Sequence, residues 1–246
     1  AKRGHTAQEV VEAVSRLKKR GMTVGVQLLP GLKGETWETI LETAIAVVKL
    51  KPDFVRIYPV LVIENTELAE QYRSGEYKPL STDQAITYCA FLKEWFEDHN
   101  IEVIRTGLQS TDELDSGDSL VAGPYEPAMG ELVVNEQYKQ RIERCFDEHF
   151  SSERCLENQY AYHISPLFNH YSHKVECRTH ANNTNKLAKH KIQISYPRNL
   201  TSKVRGLKNR NILYFQETYP QFSIEWCEDS MRNTVRCCID GLQYVL

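Results

Sequence analysis

The sequence predicts an α/β protein. A partial parallel (β/α) barrel covers residues 1–134, a helical segment and polar linker follow over 135–190, and a small α+β module closes the chain at 191–246. Strand-like apolar runs beginning near residues 22, 54 and 102 alternate with helical patterns, the order that right-handed βαβ units require. Three such strands are too few to close a barrel, and the chain opens on a helix. The charge also changes along the chain. Residues 1–176 hold 19 Lys+Arg against 28 Asp+Glu, whereas residues 177–216 hold nine basic residues and no acidic one. That contrast marks a separate module with an anionic partner, nucleic acid first.

Each element has its local reason. Thr6-Ala7-Gln8-Glu9 is a capping-box pattern, and Val10, Val11, Ala13, Val14 and Leu17 follow at helical spacing up to the stop residue Gly21. Met22–Leu29 reads as a mostly buried strand ended by Pro30-Gly31. Trp37, Ile40, Leu41, Ala44, Ile45 and Val48 form one face of a second helix. Phe54–Tyr58 is the next strand, and a short helix covers about Glu64–Arg73. Ser81-Thr82-Asp83-Gln84 is a second capping box, opening a helix with Ala85, Cys89, Leu92 and Phe96 on its apolar face. Glu102–Leu108 is the third strand, and 113–134 is a Gly/Pro-punctuated tail. A helix over about 135–165 and a linker over 166–190 lead to strand Lys191–Tyr196, helix Ser202–Thr218 and strands Phe222–Trp226 and Thr234–Ile239.

Composition narrows the class. The chain has 246 residues, of which 41% are hydrophobic and 26% charged, so a disordered or fibrous chain is excluded. No run of ~18 apolar residues offers a membrane span. Ala1-Lys2-Arg3-Gly4-His5 leads into an amphipathic segment rather than a secretory leader. The chain begins without Met, as a processed product or a fragment does. Seven cysteines, an odd count without framework spacing, point to a reduced, cytoplasmic setting.

The three barrel strands carry polar residues within apolar runs: Gln27, then Arg56 and Tyr58, then Arg105 and Gln109. Arg56 and Tyr58 share a strand face, as do Arg105 and Gln109. In parallel α/β architectures ligands gather at the C-terminal ends of strands, where these residues fall. Two arginines expected to be buried need an anion to neutralise them, either on a carboxylate- or phosphate-bearing ligand or on internal acids such as Glu35 or Glu67.

Several segments carry a family resemblance. Arg3-Gly4-His5-Thr6, Pro30-Gly31-Leu32-Lys33-Gly34-Glu35-Thr36, and Arg56-Ile57-Tyr58-Pro59 followed by Thr66-Glu67-Leu68 resemble segments of radical S-adenosylmethionine (SAM) proteins. The best match is the bacterial group similar to the catalytic subunit of Elongator. Ile104-Arg105-Thr106-Gly107-Leu108-Gln109 and Val121–Pro127 resemble that group's last barrel strand and the loop after it. The resemblance covers about residues 3–134 and implies a partial barrel that binds SAM and a four-iron, four-sulfur (4Fe-4S) cluster for tRNA modification. It also makes Gln27, Arg56, Tyr58, Arg105 and Gln109 cofactor-binding candidates. Such a cluster hangs on three thiolates, leaving one iron free to chelate SAM. None of the seven cysteines fits that early-loop triad, so the chain is expected to correspond to the C-terminal part of such a protein. An N-terminal half or partner chain would complete the barrel, and the chain alone would be inactive.

Val204-Arg205-Gly206-Leu207-Lys208-Asn209-Arg210-Asn211-Ile212 resembles a degenerate KH-domain loop, whose G-x-x-G turn clamps a sugar–phosphate chain. Here Asn209 replaces the second glycine, and Asn tolerates left-handed backbone. The resemblance makes Lys203, Arg205, Gly206, Lys208, Asn209 and Arg210 nucleic-acid-binding candidates, with tRNA the expected partner. A docking module with a basic surface is the alternative. No acetyltransferase domain is evident. His163, His170, His173, Cys177 and His180 are zinc-compatible types in a spacing that matches no known finger. Two rivals to the enzyme-fragment reading stay open: a stand-alone RNA-binding or regulatory remnant without catalysis, and an unrelated barrel enzyme for a phosphorylated metabolite.

Overall fold

The computed structural model describes residues 4–151 and 190–246. It divides into two units, Ala1–Gln137 and Tyr138–Leu246. In the first, helix α1 (Ala7–Lys19) starts at the expected capping box: the Thr6 amide donates to Glu9 and the Glu9 amide donates to the Thr6 hydroxyl. Strand β1 (Gly25–Leu28), helix α2 (Trp37–Leu50) and strand β2 (Phe54–Ile57) follow in the expected order. Past a short strand β3 (Val62–Ile63) come helices α3 (Glu67–Arg73) and α4 (Thr82–Asp98), then strand β4 (Glu102–Thr106).

Strands β1, β2 and β4 form a parallel sheet in the order β1-β2-β4. Its covered face buries Leu28, Val55 and Ile57. Ile40, Ala44 and Val47 of α2 and Ala85, Ile86, Cys89, Leu92 and Phe96 of α4 are buried with them. Strand residues alternate between faces, so the same register that buries Val55 and Ile57 turns Phe54 and Arg56 the other way. No described element lies across that second face, and Gln27, Arg56 and Arg105 on it are exposed. The expectation that both arginines are buried is therefore corrected.

Other corrections concern lengths and additions. The first strand is four residues rather than the full Met22–Leu29 run. The tail after β4 contains helix α5 (Asp112–Asp115) and strand β5 (Leu120–Ala122), which pairs antiparallel with β3. The long helix α6 begins at Met129, ahead of the expected position, and is described to Ser151. Its start dictates one glycine. Gly107 has φ +82°, and a Cβ there would stand 2.5 Å from the Cβ of Met129.

The second unit is a mixed sheet in the order β7-β6-β8-β9, formed by β6 (Lys191–Tyr196), β7 (Ser223–Glu228), β8 (Arg236–Ile239) and β9 (Leu242–Val245). β7 runs parallel to β6, β8 pairs antiparallel with β6, and β9 pairs antiparallel with β8. Strand β9 was not expected. The Asp240-Gly241 turn, with both residues at positive φ, is the hairpin signal that specifies it. Ile192, Ile194, Tyr196, Cys237 and Ile239 form one core with Ile142, Cys145 and Phe146 of α6. Phe146 meets Phe215, Tyr219 and Phe222 edge-on. The expected single helix over Ser202–Thr218 is broken into α7 (Thr201–Arg205) and α8 (Arg210–Thr218), with a 3₁₀ turn between them.

Gly107→Ala should lower stability by roughly 1–3 kcal/mol, because alanine is strained at that φ and its methyl meets Met129. Gly130→Ala serves as the control. It lies in α6 with nothing nearer than 3.5 Å to a built Cβ, and should be neutral or slightly stabilising. Denaturant melts of both variants check the pair.

Candidate functional site

The open face of the parallel sheet collects the expected polar residues in one row. Gln27 is the register partner of Arg56, and Arg56 that of Arg105. The second pairing depends on a bulge. From Val55↔Val103 the register shifts, so that Arg105 and not Ile104 stands opposite Arg56. A bulge of this kind lets two successive residues face one way, and Ile104 is 43% exposed beside an exposed Arg105. Phe54 lies across Gly25, where a Cβ would come within 2.1 Å of its ring, and the Arg56 guanidinium sits 5.6 Å from the ring centroid. Tyr58 is half-buried just beyond. Arg105 donates to the Gln109 side chain at 3.2 Å.

Two guanidiniums facing each other across ~4.8 Å of neighbouring strands repel. Among the described residues, no carboxylate forms an ion pair with either. Glu35, one expected partner, turns back on its own loop and accepts the Gly31 amide at 2.5 Å. Burial pushes its carboxyl pKa up, against the lowering effect of the Gly31 and Leu32 amides. Tyr77 closes the same loop by donating to the Gly31 carbonyl at 2.7 Å, and burial, with Glu35 nearby, pushes its phenol up to about 12. Glu67, the other expected partner, accepts from Gln71 on its own helix. The row is thus a pair of cations with no acidic partner among the described residues, flanked by two carboxamides, a set of donors of the type that suits an anionic group.

Sequence reading missed the group next to Gln109. Ser110 donates to Asp115 at 3.1 Å, Tyr125 donates to the same carboxylate oxygen, and the Ser110 and Tyr125 hydroxyls lie 3.3 Å apart. These bonds tie the loop after β4 to the Gly-Pro segment. The spacing of single polar residues in a loop gives no period from which to infer them.

The second candidate site is the turn between α7 and α8. Gly206 adopts φ +78° and ψ 155°, and Lys208 and Asn209 are both left-handed. The asparagine therefore adopts the backbone expected of it, in a turn that joins two helices. Asn211 is buried and donates to the Val204 carbonyl at 3.0 Å, and a Cβ on Gly206 would stand 2.9 Å from the Asn211 nitrogen. Lys203, Lys208, Asn209 and Arg210 are exposed around this turn. Arg205 is half-buried, with a sequestered Nε that has no acceptor.

The described cysteines do not fit a 4Fe-4S cluster, which needs three thiolates converging on one point. Cys89 is buried in α4, where desolvation pushes its thiol pKa up. Cys145 and Cys237 lie in the buried core of the second unit, and Cys227 and Cys238 lie on β7 and β8. Among the described residues, no group of three His, Cys, Asp or Glu side chains is placed to hold a metal ion. His163, His170, His173, Cys177 and His180 lie outside the described residues. Among the described residues no helix is long and apolar enough to cross a membrane.

Comparison with known proteins places this site in a family context. Residues 52–140, which include Arg56, Tyr58, Arg105 and Gln109, match the radical SAM C-terminal domain. A tRNA uridine(34) acetyltransferase of Methanocaldococcus jannaschii is 31% identical over 185 residues, 72% of this chain and 31% of the relative. Elongator complex protein 3 of Bos taurus is 33% identical over 91 residues, 36% of this chain and 17% of the relative. The solved structure of Methanocaldococcus infernus Elp3 with an N-terminal deletion matches with 30% identity and a TM-score of 0.49, covering 57% of this chain and 32% of that one. The chain spans about a third of the length of the first of these relatives. It carries a radical SAM C-terminal domain related to that of the tRNA uridine(34) acetyltransferases.

The row makes a quantitative prediction. A double-mutant cycle of Arg56→Gln and Arg105→Gln should report a repulsive coupling of about 0.2–1 kcal/mol, shrinking as salt rises. An attractive coupling would mean that an internal acid already neutralises the pair.

Proposed function

We propose that this chain is the C-terminal part of an Elongator-like radical SAM protein acting on tRNA, with SAM the ligand of the open sheet face. The observation that carries this reading is the Gln27–Arg56–Arg105 row, two of whose three members fall within the matched radical SAM C-terminal domain. On this reading Arg56 and Arg105 hold the anionic group of the ligand, and Gln27 and Gln109 orient it through their carboxamides. Phe54 and Tyr58 offer apolar ring surface on the same face as Arg56. On this reading, because the described cysteines do not fit a 4Fe-4S cluster, the thiolates for one would come from an N-terminal segment or partner chain, and this chain alone would be inactive.

The second unit supplies the RNA contact on this reading. Three exposed cations surround a turn whose backbone leaves the helical region, and the acid-free stretch there contrasts with the acidic first unit. Phosphate attraction therefore concentrates in residues 191–246. The rival, an RNA-binding or regulatory remnant without catalysis, shares this surface and differs only in lacking a radical-generating partner.

The test is a salt titration of tRNA binding. Replacing Lys203, Lys208 and Arg210 by Ala should weaken binding nearly uniformly across RNA sequences. If all three contact phosphate on one strand, the log–log salt slope flattens by about 2.1 units, roughly 0.7 per contact. Arg205 is left intact because it is half-buried and contributes to packing. Unchanged affinity and slope would reduce the turn to a solvated face and remove RNA binding from the second unit.

A further inference from the structure

We propose that Cys145 and Cys237 are a redox-sensitive pair whose disulfide locks α6 onto the sheet of the second unit. The two residues come from distant parts of the chain and meet in one core. Cys145 is 6% exposed and Cys237 is fully buried. Their approach is fixed by neighbours on both elements. Tyr244 on β9 is the register partner of Cys237, and its hydroxyl lies 3.1 Å from Nδ1 of His149. His149 is one helical turn beyond Cys145, so the two share a face of α6. The bond that seats His149 on Tyr244 thus brings Cys145 to the side of Cys237 in the core they share.

A buried free cysteine usually serves as a small apolar residue, and nothing in packing requires that two face each other. Here the neighbouring Cys237 thiol lowers the pKa of Cys145. Cys145, 6% exposed where Cys237 is fully buried, is also the more accessible of the two and is the attacking sulfur. With glutathione disulfide as oxidant, the Cys145 thiolate attacks one glutathione sulfur, the glutathione S–S bond breaks, and one glutathione leaves as its thiolate. Cys237 then gives its proton to solvent and attacks the sulfur of Cys145, expelling the second glutathione. Two protein thiols are oxidised to one disulfide, and one glutathione disulfide is reduced to two glutathiones. Because both sulfurs are buried, exchange proceeds through transient opening of α6 and is slow while the unit is closed.

The cross-link would tie the helix to a central strand and restrict the unfolded chain. The experiment uses the full chain, incubated with glutathione disulfide, alkylated and digested. The expected result is a peptide joined through Cys145 and Cys237, with a rise in Tm of at least about 5 °C. Cys145→Ala should abolish both, and Cys238→Ser should preserve both. Recovery of Cys145 and Cys237 as free thiols would overturn the proposal, as would cross-links made only by other cysteines. A joined peptide without a rise in Tm would also overturn it, since the helix would not then be locked.

Discussion

The parallel ladder of β1, β2 and β4 sets everything that follows in the first unit. Side chains alternate strictly along each strand, so the register that sends Val55 and Ile57 into the core must send Arg56 to the opposite face. One step of slippage would bury a guanidinium and expose two β-branched side chains. The apolar faces of α2 and α4 therefore fix the position of Arg56 without touching it. The bulge after Val55 adds the second arginine by bringing Arg105, one residue out of phase, onto the same face.

The second unit follows a different constraint. Its sheet and helices share an aromatic core in which Phe146, Phe215, Tyr219 and Phe222 interlock. Buried Asn211 holds the start of α8 to the end of α7 through the Val204 carbonyl. The Gly206 turn is exposed at Lys208 and Asn209 yet rigid where it meets that asparagine. A turn held in place by a buried side chain, with exposed cations at its rim, suits phosphate recognition.

Much of this was legible in the sequence. Thr6/Glu9 and Ser81/Gln84 announced two helices through their caps, and both caps formed. The βαβ alternation announced the parallel sheet. The positions of Gln27, Arg56 and Arg105 at strand level were legible as well. Their exposure was not, because an alternating pattern identifies two faces without saying which elements will cover each. The bulge was hidden too: Glu102-Val103-Ile104-Arg105 gives no residue type that demands it. The break at Gly206 was masked by helix-forming neighbours, whereas the β9 hairpin could have been read from Asp240-Gly241. The contact between Cys145 and Cys237 depends on tertiary packing that no local pattern encodes.

The central claim is that the sheet's open face presents an uncompensated pair of guanidiniums that seeks an anion. The most direct measurement follows the side-chain Nε–Hε signals of Arg56 and Arg105 by NMR while inorganic phosphate is titrated into the chain. The account predicts that both signals move along one saturation curve, and that Arg56→Gln weakens the response of Arg105. If both signals stay in place while arginines of the second unit respond, the row is not an anion site and the functional reading built on it fails.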